Sequence, residues 1–333
     1  MPGKHSTVLV VGGAGYIGSH TTLALKDAGF ATVIYDNFST GHRDACFADH
    51  LVEGDLADVA KLTETLERFE ISSVIHFAAM IEAGQSMVTP LPFFENNVSG
   101  TVSLLKAMLA AGVSRIVFSS TAAVYGNQDG RLTLSETLPR APITPYGHSK
   151  AMVERILETC VQAYGLQAIA LRYFNASGAD AAGRTGERHD LETHLIPLII
   201  EAARGIRPNV KIYGTDYDTS DGTCIRDYIH VSDLATGHVA AVRYLLDNSN
   251  TGFQAMNLGT GTGYSVRQVI NTVREVSGRA VDVVEADRRP GDPARLVADV
   301  AAARTDLHWS AAQSSLDEIV RTAWAYAEAN LPH

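Results

Sequence analysis

The first 175 residues alternate between two hydrophobic rhythms. Compact apolar and β-branched runs occur at 7–11 (TVLVV), 31–35 (ATVIY), 72–77 (SSVIHF), 115–120 (RIVFSS) and 167–174 (QAIALRYF), with a shorter one near 51–53. Helical-period stretches separate them at 17–28, 58–69, about 93–111 and 146–164, the first closing near Gly29 and the third at Gly112. The apolar runs lack polar alternation, as strands covered on both faces do. Strand–helix–strand repetition implies right-handed crossovers, so the pattern predicts an α/β fold built on a doubly wound parallel sheet. After about residue 176 the rhythm breaks at the polar loop ASGADAAGRTGERHD, and mixed helices and short strands follow. The expected division is therefore a doubly wound domain over 1–175 and a smaller mixed α/β region over 176–333, with ligand contacts at the seam.

Glycines sharpen this picture. The stretch VLVVGGAGYIGSH places Gly13-x-Gly15-x-x-Gly18 directly between the first strand and the first helix, and Gly12 adds a GxxGxxG reading. A glycine here lets the backbone approach a pyrophosphate, and the helix N-terminus supplies N–H donors and positive potential. Asp36 ends the second strand, 21 residues past Gly15. A carboxylate there accepts hydrogen bonds from an adenosine ribose and repels a 2′-phosphate, which favours NAD over NADP. Asp55, after the next short strand, is placed either near the adenine or at a loop or helix cap.

Composition excludes several alternatives. The chain has 333 residues, 46% of them hydrophobic, and a net charge of −10. That charge gives no basic footprint for nucleic acid, and an anionic substrate must be held by local cations. Cys46, Cys160 and Cys224 are odd in number and form no CxxC pair, which points to the cytoplasm and not to a disulfide framework. Lys4 precedes an apolar run that is too short for a signal peptide, and no stretch approaches a membrane span. His189, Glu192 and His194 match no common zinc spacing, so no metal is expected.

The hexapeptide PYGHSK (145–150) carries the candidate chemistry. Tyr146 and Lys150 stand i, i+4 on one helix face. Bringing a tyrosine from pKa about 10 to neutrality takes about 4 kcal/mol of phenolate stabilisation. A lysine cation and an oxidised nicotinamide could supply it together, making Tyr146 a general base towards a hydroxyl whose carbon loses hydride. Thr121, just beyond the 115–120 strand, stands where ligands bind in open α/β sheets and could bridge substrate and tyrosine.

Taken with VGGAGYIGSH, YDNFSTGHR, EGDLAD, HFAAMIEAGQSM, NNVSGT, FSSTAAVYG, LRYFNASGA, IYGTDYDTSDGTCIRDYIHVSDLA, NLGTGTGYSV and RRPGDPARLVAD, these motifs resemble the extended short-chain dehydrogenase/reductase family, and within it the UDP-glucose 4-epimerases, from about residue 8 to 300. The resemblance implies a Rossmann-like fold, a bound NAD and a UDP-sugar substrate whose C4 is oxidised by hydride loss, turned over as a 4-keto sugar and reduced on its opposite face. It implies Tyr146, Lys150 and Thr121 as catalytic. It places Gly12, Gly15, Tyr16, Ile17, Gly18, Asp36, Asn37, Ser39, Thr40, Gly41, Asp55 and Leu56 on the cofactor, together with Phe77, Ala78, Ala79, Asn97, Lys150 and Phe174. It places Asn175, His194, Leu195, Tyr213, Arg226, Arg289 and Asp292 on the substrate, the two arginines gripping the diphosphate. It further implies a homodimer through the 93–111 and 146–164 helices, and a return of the chain into the nucleotide domain near 225–260.

Three positions depart from other members of the family. Ile81 stands where some carry a lysine near the cofactor ribose, and His194 where others carry asparagine. Leu296 replaces a tyrosine that gates the sugar pocket, so acetylated UDP-sugars could be admitted. Ala122 and Ala123 follow Thr121, where a 4,6-dehydratase would carry an acid pair, which argues against dehydration. Epimerisation of a UDP-pentose or UDP-uronic acid, and a non-catalytic NAD-binding regulator, stand as alternatives.

Overall fold

A computed structural model describes residues 6–128, 130–189, 192–289 and 292–331. Six strands and their crossovers follow the chain in order. These are β1 (Thr7–Val11), α1 (Tyr16–Asp27), β2 (Ala31–Asp36), β3 (His50–Glu53), α2 (Val59–Arg68), β4 (Ile71–His76), the short α3 (Ala83–Ser86) and α4 (Pro90–Phe93), α5 (Gly100–Ala110), β5 (Arg115–Thr121), α6 (Pro145–Tyr164) and β6 (Gln167–Tyr173). The expected helix over 93–111 is interrupted. A wide π-helical turn, Phe94–Ser99, precedes α5. It turns Asn97 inward, where its amide donates to Met80 O at 3.0 Å and to Ser149 Oγ at 3.0 Å. Its own oxygen accepts from Met80 N at 2.8 Å. A regular helix is given up for a strut between the end of β4 and α6.

The second half supplies β7 (Asn175–Ser177), α7 (Leu195–Ala203), β8 (Val210–Tyr213), β9 (Ile225–Arg226), β10 (Tyr228–His230), α8 (Val231–Asp247), β11 (Phe253–Leu258), β12 (Tyr264–Ser265), α9 (Val266–Ser277), β13 (Val283–Ala286), β14 (Arg295–Leu296), α10 (Ala301–Asp306) and α11 (Leu316–Asn330). β11 joins the central sheet, whose order is β11-β6-β5-β4-β1-β2-β3, with every pairing parallel. The chain thus leaves the sheet after β6, builds α7 and the first small strands of the second unit, returns through α8, which packs on α1, and through β11, and then leaves again for α9 and α11.

The strands read as unbroken apolar runs because both faces are covered. Val8, Val10, Ile34, Ile75, Val117 and Ile169 pack under α1 and α8. Leu9, Val33, Val74, Ile116 and Ala168 face α2, α5 and α6. A separate core, with Ile199, Ile212, Val269 and Ile319 at its centre, holds α7, α9 and α11 against the small sheets. Asp227 ties the two units together. Its buried carboxylate accepts from Thr260 N at 2.9 Å, Gly261 N at 3.0 Å and Ala298 N at 3.1 Å. Among the described residues, no helix is long and apolar enough to cross a membrane.

Candidate active site

The carboxyl ends of β1, β2, β4 and β5 open into a cavity of about 440 Å³. Its floor is the turn between β1 and α1. Gly12 has φ +78°, and a Cβ there would lie 2.5 Å from Ala78 N. A Cβ on Gly18 would lie 2.3 Å from Gly12 O. Gly15 differs, since a Cβ would meet only Gly12 O, at 3.5 Å. Of the two glycine readings, the one starting at Gly12 describes the turn, whereas Gly13 packs against Ile34. Gly12 and Gly18 close the turn sterically, and Gly15, the N-cap of α1, leaves the helix N-terminus open to the cavity.

Asp36 is nearly buried and holds this turn to β2. Its Oδ2 accepts from Ala14 N at 2.9 Å and its Oδ1 from Phe38 N at 2.8 Å. Asn37, Ser39, Thr40, Gly41, Asp55 and Leu56 line the same end of the cavity. Asp55 accepts from Ala57 N and from Asn37 Nδ2, both at 2.8 Å, and these bonds hold its carboxyl below the usual range. The cap of α2 is instead Asp58, which accepts from Lys61 N. Tyr16, Ile17, Phe77, Ala78, Ala79 and Phe174 complete the cofactor-side wall, with Tyr16 OH donating to Gly178 O at 2.6 Å. Ile81 also lines this cavity and is 40% exposed. Asn97 does not line it, and its role is the strut described above.

A nucleotide fits this cradle on three grounds: an unobstructed helix N-terminus at Gly15, a carboxylate at the end of β2, and apolar walls beyond.

At the other end Tyr146 begins α6, with Thr144 as N-cap, Pro145 at the first helical position and Ser86 Oγ accepting from Tyr146 N at 3.2 Å. Its phenol faces the cavity, which Thr121 also lines. Burial pushes the phenol up to about 12, against the smaller downward pull of Thr121. Lys150, one turn on, is 2% exposed. Its Nζ donates to Ser119 O at 2.8 Å and stands 4.9 Å from the centre of the Phe118 ring. Burial lowers it to about 7. The expectation that this lysine pulls the tyrosine down therefore needs amending: one N–H of Lys150 is held by the β5 backbone, and burial outweighs any pull on the phenol. Tyr173 reaches the same place from β6, bonded to Ser119 Oγ. Ser119 and Tyr173 lie within FSSTAAVYG and LRYFNASGA, but neither carried an expected role.

Asn175, His194 and Leu195 line the cavity on the substrate side. The His194 imidazole is bonded to Glu187, with Nδ1 2.5 Å from Oε1. Burial opposes its protonation, but Glu187 and Glu192 prevail and raise it to about 9. Tyr213, Arg226, Arg289 and Asp292 lie outside the cavity lining, in a cluster of their own. Arg226 is ion-paired with Asp292 and donates to Ile225 O, while the Arg289 guanidinium lies over the Tyr213 ring at 4.0 Å. Leu296, on β14 beside Arg226, packs, as Phe174 does, against the small buried cluster of Ala122, Val124, Tyr125 and Leu134.

Residues 8–259 match the model of the NAD dependent epimerase/dehydratase family. A UDP-glucose 4-epimerase from Rhizobium leguminosarum bv. trifolii is 50% identical over 318 residues, covering 96% of each chain. Another, from Rhizobium meliloti, is 48% identical and covers 96% of this chain and 97% of its own. The crystal structure of UDP-glucose 4-epimerase from Brucella ovis in complex with NAD superposes with a TM-score of 0.93 at 48% identity, covering 96% of this chain and 98% of that one. The epimerase from Stenotrophomonas maltophila, with NAD and formylated UDP-arabinopyranose bound, gives 0.94 at 38% identity and covers 98% of both chains. With its glycine turn, its Asp36 and its Tyr146–Lys150 pair in one cavity, the chain belongs to the NAD dependent epimerase/dehydratase family.

Proposed function

We propose that this protein interconverts UDP-galactose and UDP-glucose by inverting C4 of the sugar, with Tyr146 as the general base. The observation that carries this reading is the Tyr146–Thr121 pair facing the cavity that also contains the open glycine turn. Bound NAD would accept hydride from C4 and return it, lying along Gly12, Gly15, Gly18, Asp36 and the Phe77–Ala79 wall. Tyr146 takes the C4 hydroxyl proton, and Thr121 positions that hydroxyl. Moving the phenol from about 12 to neutrality requires roughly 7 kcal/mol of phenolate stabilisation. Lys150 contributes to it only while protonated, and its depressed pKa of about 7 makes that condition sensitive to pH.

Inversion also requires a sugar free to turn while the nucleotide is held. Binding energy at the remote UDP end serves that purpose. Arg226, Arg289, Tyr213 and Asp292 would supply it, because a guanidinium fork suits phosphate oxygens and the half-buried Tyr213 ring suits a base or ribose. Asn175, His194 and Leu195 would line the sugar and phosphate path. A leucine at 296, where the gate is a tyrosine in relatives, leaves room for an N-acetyl group, so UDP-GalNAc and UDP-GlcNAc are proposed as further substrates.

Exposed Met87, Val88 and Leu91 stand beside α6, itself bearing exposed Met152, and support a homodimer through this face. Light scattering would test it: a monomer at working concentration contradicts the dimer. The cytoplasm is proposed as the compartment on the three free cysteines.

The direct test is NMR of the purified protein with UDP-galactose and no added cofactor. Appearance of UDP-glucose supports the reading. No conversion even with added NAD⁺ rejects this substrate pair, and UDP-pentoses and UDP-uronic acids are the next substrates to test. UDP-GalNAc in parallel tests the open gate, and turnover confined to the unacetylated pair rejects it.

A further inference from the structure

The loop that enters α7 carries four side chains that the proposed reaction does not need as a set. Glu187, His189, Glu192 and His194 each bring one ligand-capable atom within 4.8 Å of the other three. His189 Nδ1 lies 3.6 Å from Glu187 Oε1 and 3.4 Å from Glu192 Oε2, and His194 Nδ1 lies 3.6 Å from Glu192 Oε1. A tetrahedral ion with nitrogen and oxygen ligands at about 2.0–2.2 Å has ligand–ligand edges of about 3.3–3.6 Å. Two edges, both from His189 Nδ1, already have that length, whereas the 3.6 Å from His194 Nδ1 is to the other Glu192 oxygen, so the His194 ring must also close on Oε2. The fourth contact, His194 Nδ1 to Glu187 Oε1, is 2.5 Å and must open by about 1 Å to admit an ion.

The surroundings support the set. The Glu187 and Glu192 side chains are each only 7% exposed, so two carboxylates are withdrawn from water at one point and need positive charge. Glu192 is oriented by the chain itself. Its Oε1 accepts from Thr193 N and His194 N, both at 2.7 Å, which turns Oε2 towards His189. Anchoring of this kind is what holds a metal ligand in place. Two imidazoles with two carboxylates suit a borderline transition ion better than magnesium or calcium, which take oxygen ligands.

The cluster also has an approach of its own. Glu187 and His189 line both the dinucleotide cavity and a second cavity of about 430 Å³, which Glu192 lines as well. An ion can arrive from that side without crossing the dinucleotide site. Spacing carries no cue, because E-x-H-x-x-E-x-H is not a common zinc pattern, and the four groups meet only in the folded chain.

We propose that Glu187, His189, Glu192 and His194 form a binding site for one divalent transition-metal ion of the zinc class, in the wall between the two cavities. The ion supplies the positive charge that the two withdrawn carboxylates need. It ties Glu187 and His189 to Glu192 and His194 and holds His194 by its Nδ1, while the ring still lines the dinucleotide cavity.

The test uses the untagged, NAD-loaded protein, stripped with a chelator and titrated with Zn²⁺ by calorimetry and with Co²⁺ by visible absorption. The expected result is one ion per chain, with the Co²⁺ spectrum of a tetrahedral site. His189→Ala and Glu192→Gln should each weaken Zn²⁺ binding by more than the ~10–100-fold that losing a mere hydrogen-bond partner of a ligand costs. Glu192→Gln keeps the size and the backbone bonds of the wild-type side chain, so it remains informative if His189→Ala misfolds. Absence of saturable Zn²⁺ binding, or equal affinity in wild type and Glu192→Gln, overturns the site and leaves the cluster as ion pairs only.

Discussion

Replacing Gly15 with alanine separates the cofactor site from the fold. Gly15 has φ −80° and ψ 175°, an ordinary extended conformation for any residue. An added Cβ meets a single atom within 4 Å, Gly12 O at 3.5 Å, which is normal contact. On the folded chain alone, the loss of a glycine N-cap and the gain from a stiffer unfolded chain are each about 0.5–1 kcal/mol and oppose one another. Stability should therefore stay within about 1 kcal/mol of wild type. The new methyl projects instead into the space where a pyrophosphate would approach the first turn of α1. Overpacking by one methyl costs about 1–3 kcal/mol, which is about 5–150-fold in affinity. Gly18→Ala is the control, because its Cβ would lie 2.3 Å from Gly12 O, a backbone atom that cannot step aside, so the fold itself should suffer. Titration of NAD⁺ into each refolded variant, together with urea unfolding, reads both effects. Wild-type NAD⁺ affinity in Gly15→Ala would refute the placement of the cofactor on this turn.

Other expectations follow from the same geometry. Tyr146→Phe keeps the ring and removes the proton acceptor, so kcat should fall about 10²–10⁴-fold with NAD still bound, and near-normal turnover would remove Tyr146 from the base role. Glu154 is fully buried, with Arg172 Nε at 2.9 Å and Nη2 at 2.6 Å, Ser120 Oγ at 2.6 Å and Arg140 Nη1 at 3.1 Å. Glu154→Gln strands the buried Arg172 charge and should cost about 3–5 kcal/mol in denaturant unfolding, and a loss below about 1 kcal/mol would contradict that. Burial lowers His20 and His238 to about 4 and His76 to about 3. Their contribution to stability is complete above about pH 6.5 and is lost as the pH falls towards those values, because the unfolded chain takes up protons that the folded chain refuses. Urea midpoints that stay level from pH 7 to pH 5 would contradict this.

The doubly wound half of the molecule was legible because its strands are covered on both faces and its helices end at glycines. Gly29 and Gly112 follow α1 and α5, and both have positive φ. The interruption at 94–99 was not legible, because the inward turn of Asn97 is set by Met80 and Ser149, distant in sequence. The catalytic pair was visible as a spacing, but its electrostatics were not. Whether Lys150 faces Tyr146 or the β5 carbonyls depends on burial, which spacing does not report. The distal cluster shows the same limit: Arg226 and Arg289 were found as residues, whereas the pairing of Arg226 with Asp292 required β9 and the segment before β14 to meet. His189, Glu192 and His194 were dismissed on spacing, Glu187 was not weighed with them, and the meeting of all four exists only in the folded chain.

The proposed reaction predicts that hydride leaves and returns within one site. The most direct measurement is mass spectrometry and NMR of product formed from UDP-galactose deuterated at C4, in ordinary water and without added NAD⁺. Internal return predicts UDP-glucose with the deuterium still on C4. Product that has lost the label to solvent, or label released on free NADH, would contradict it.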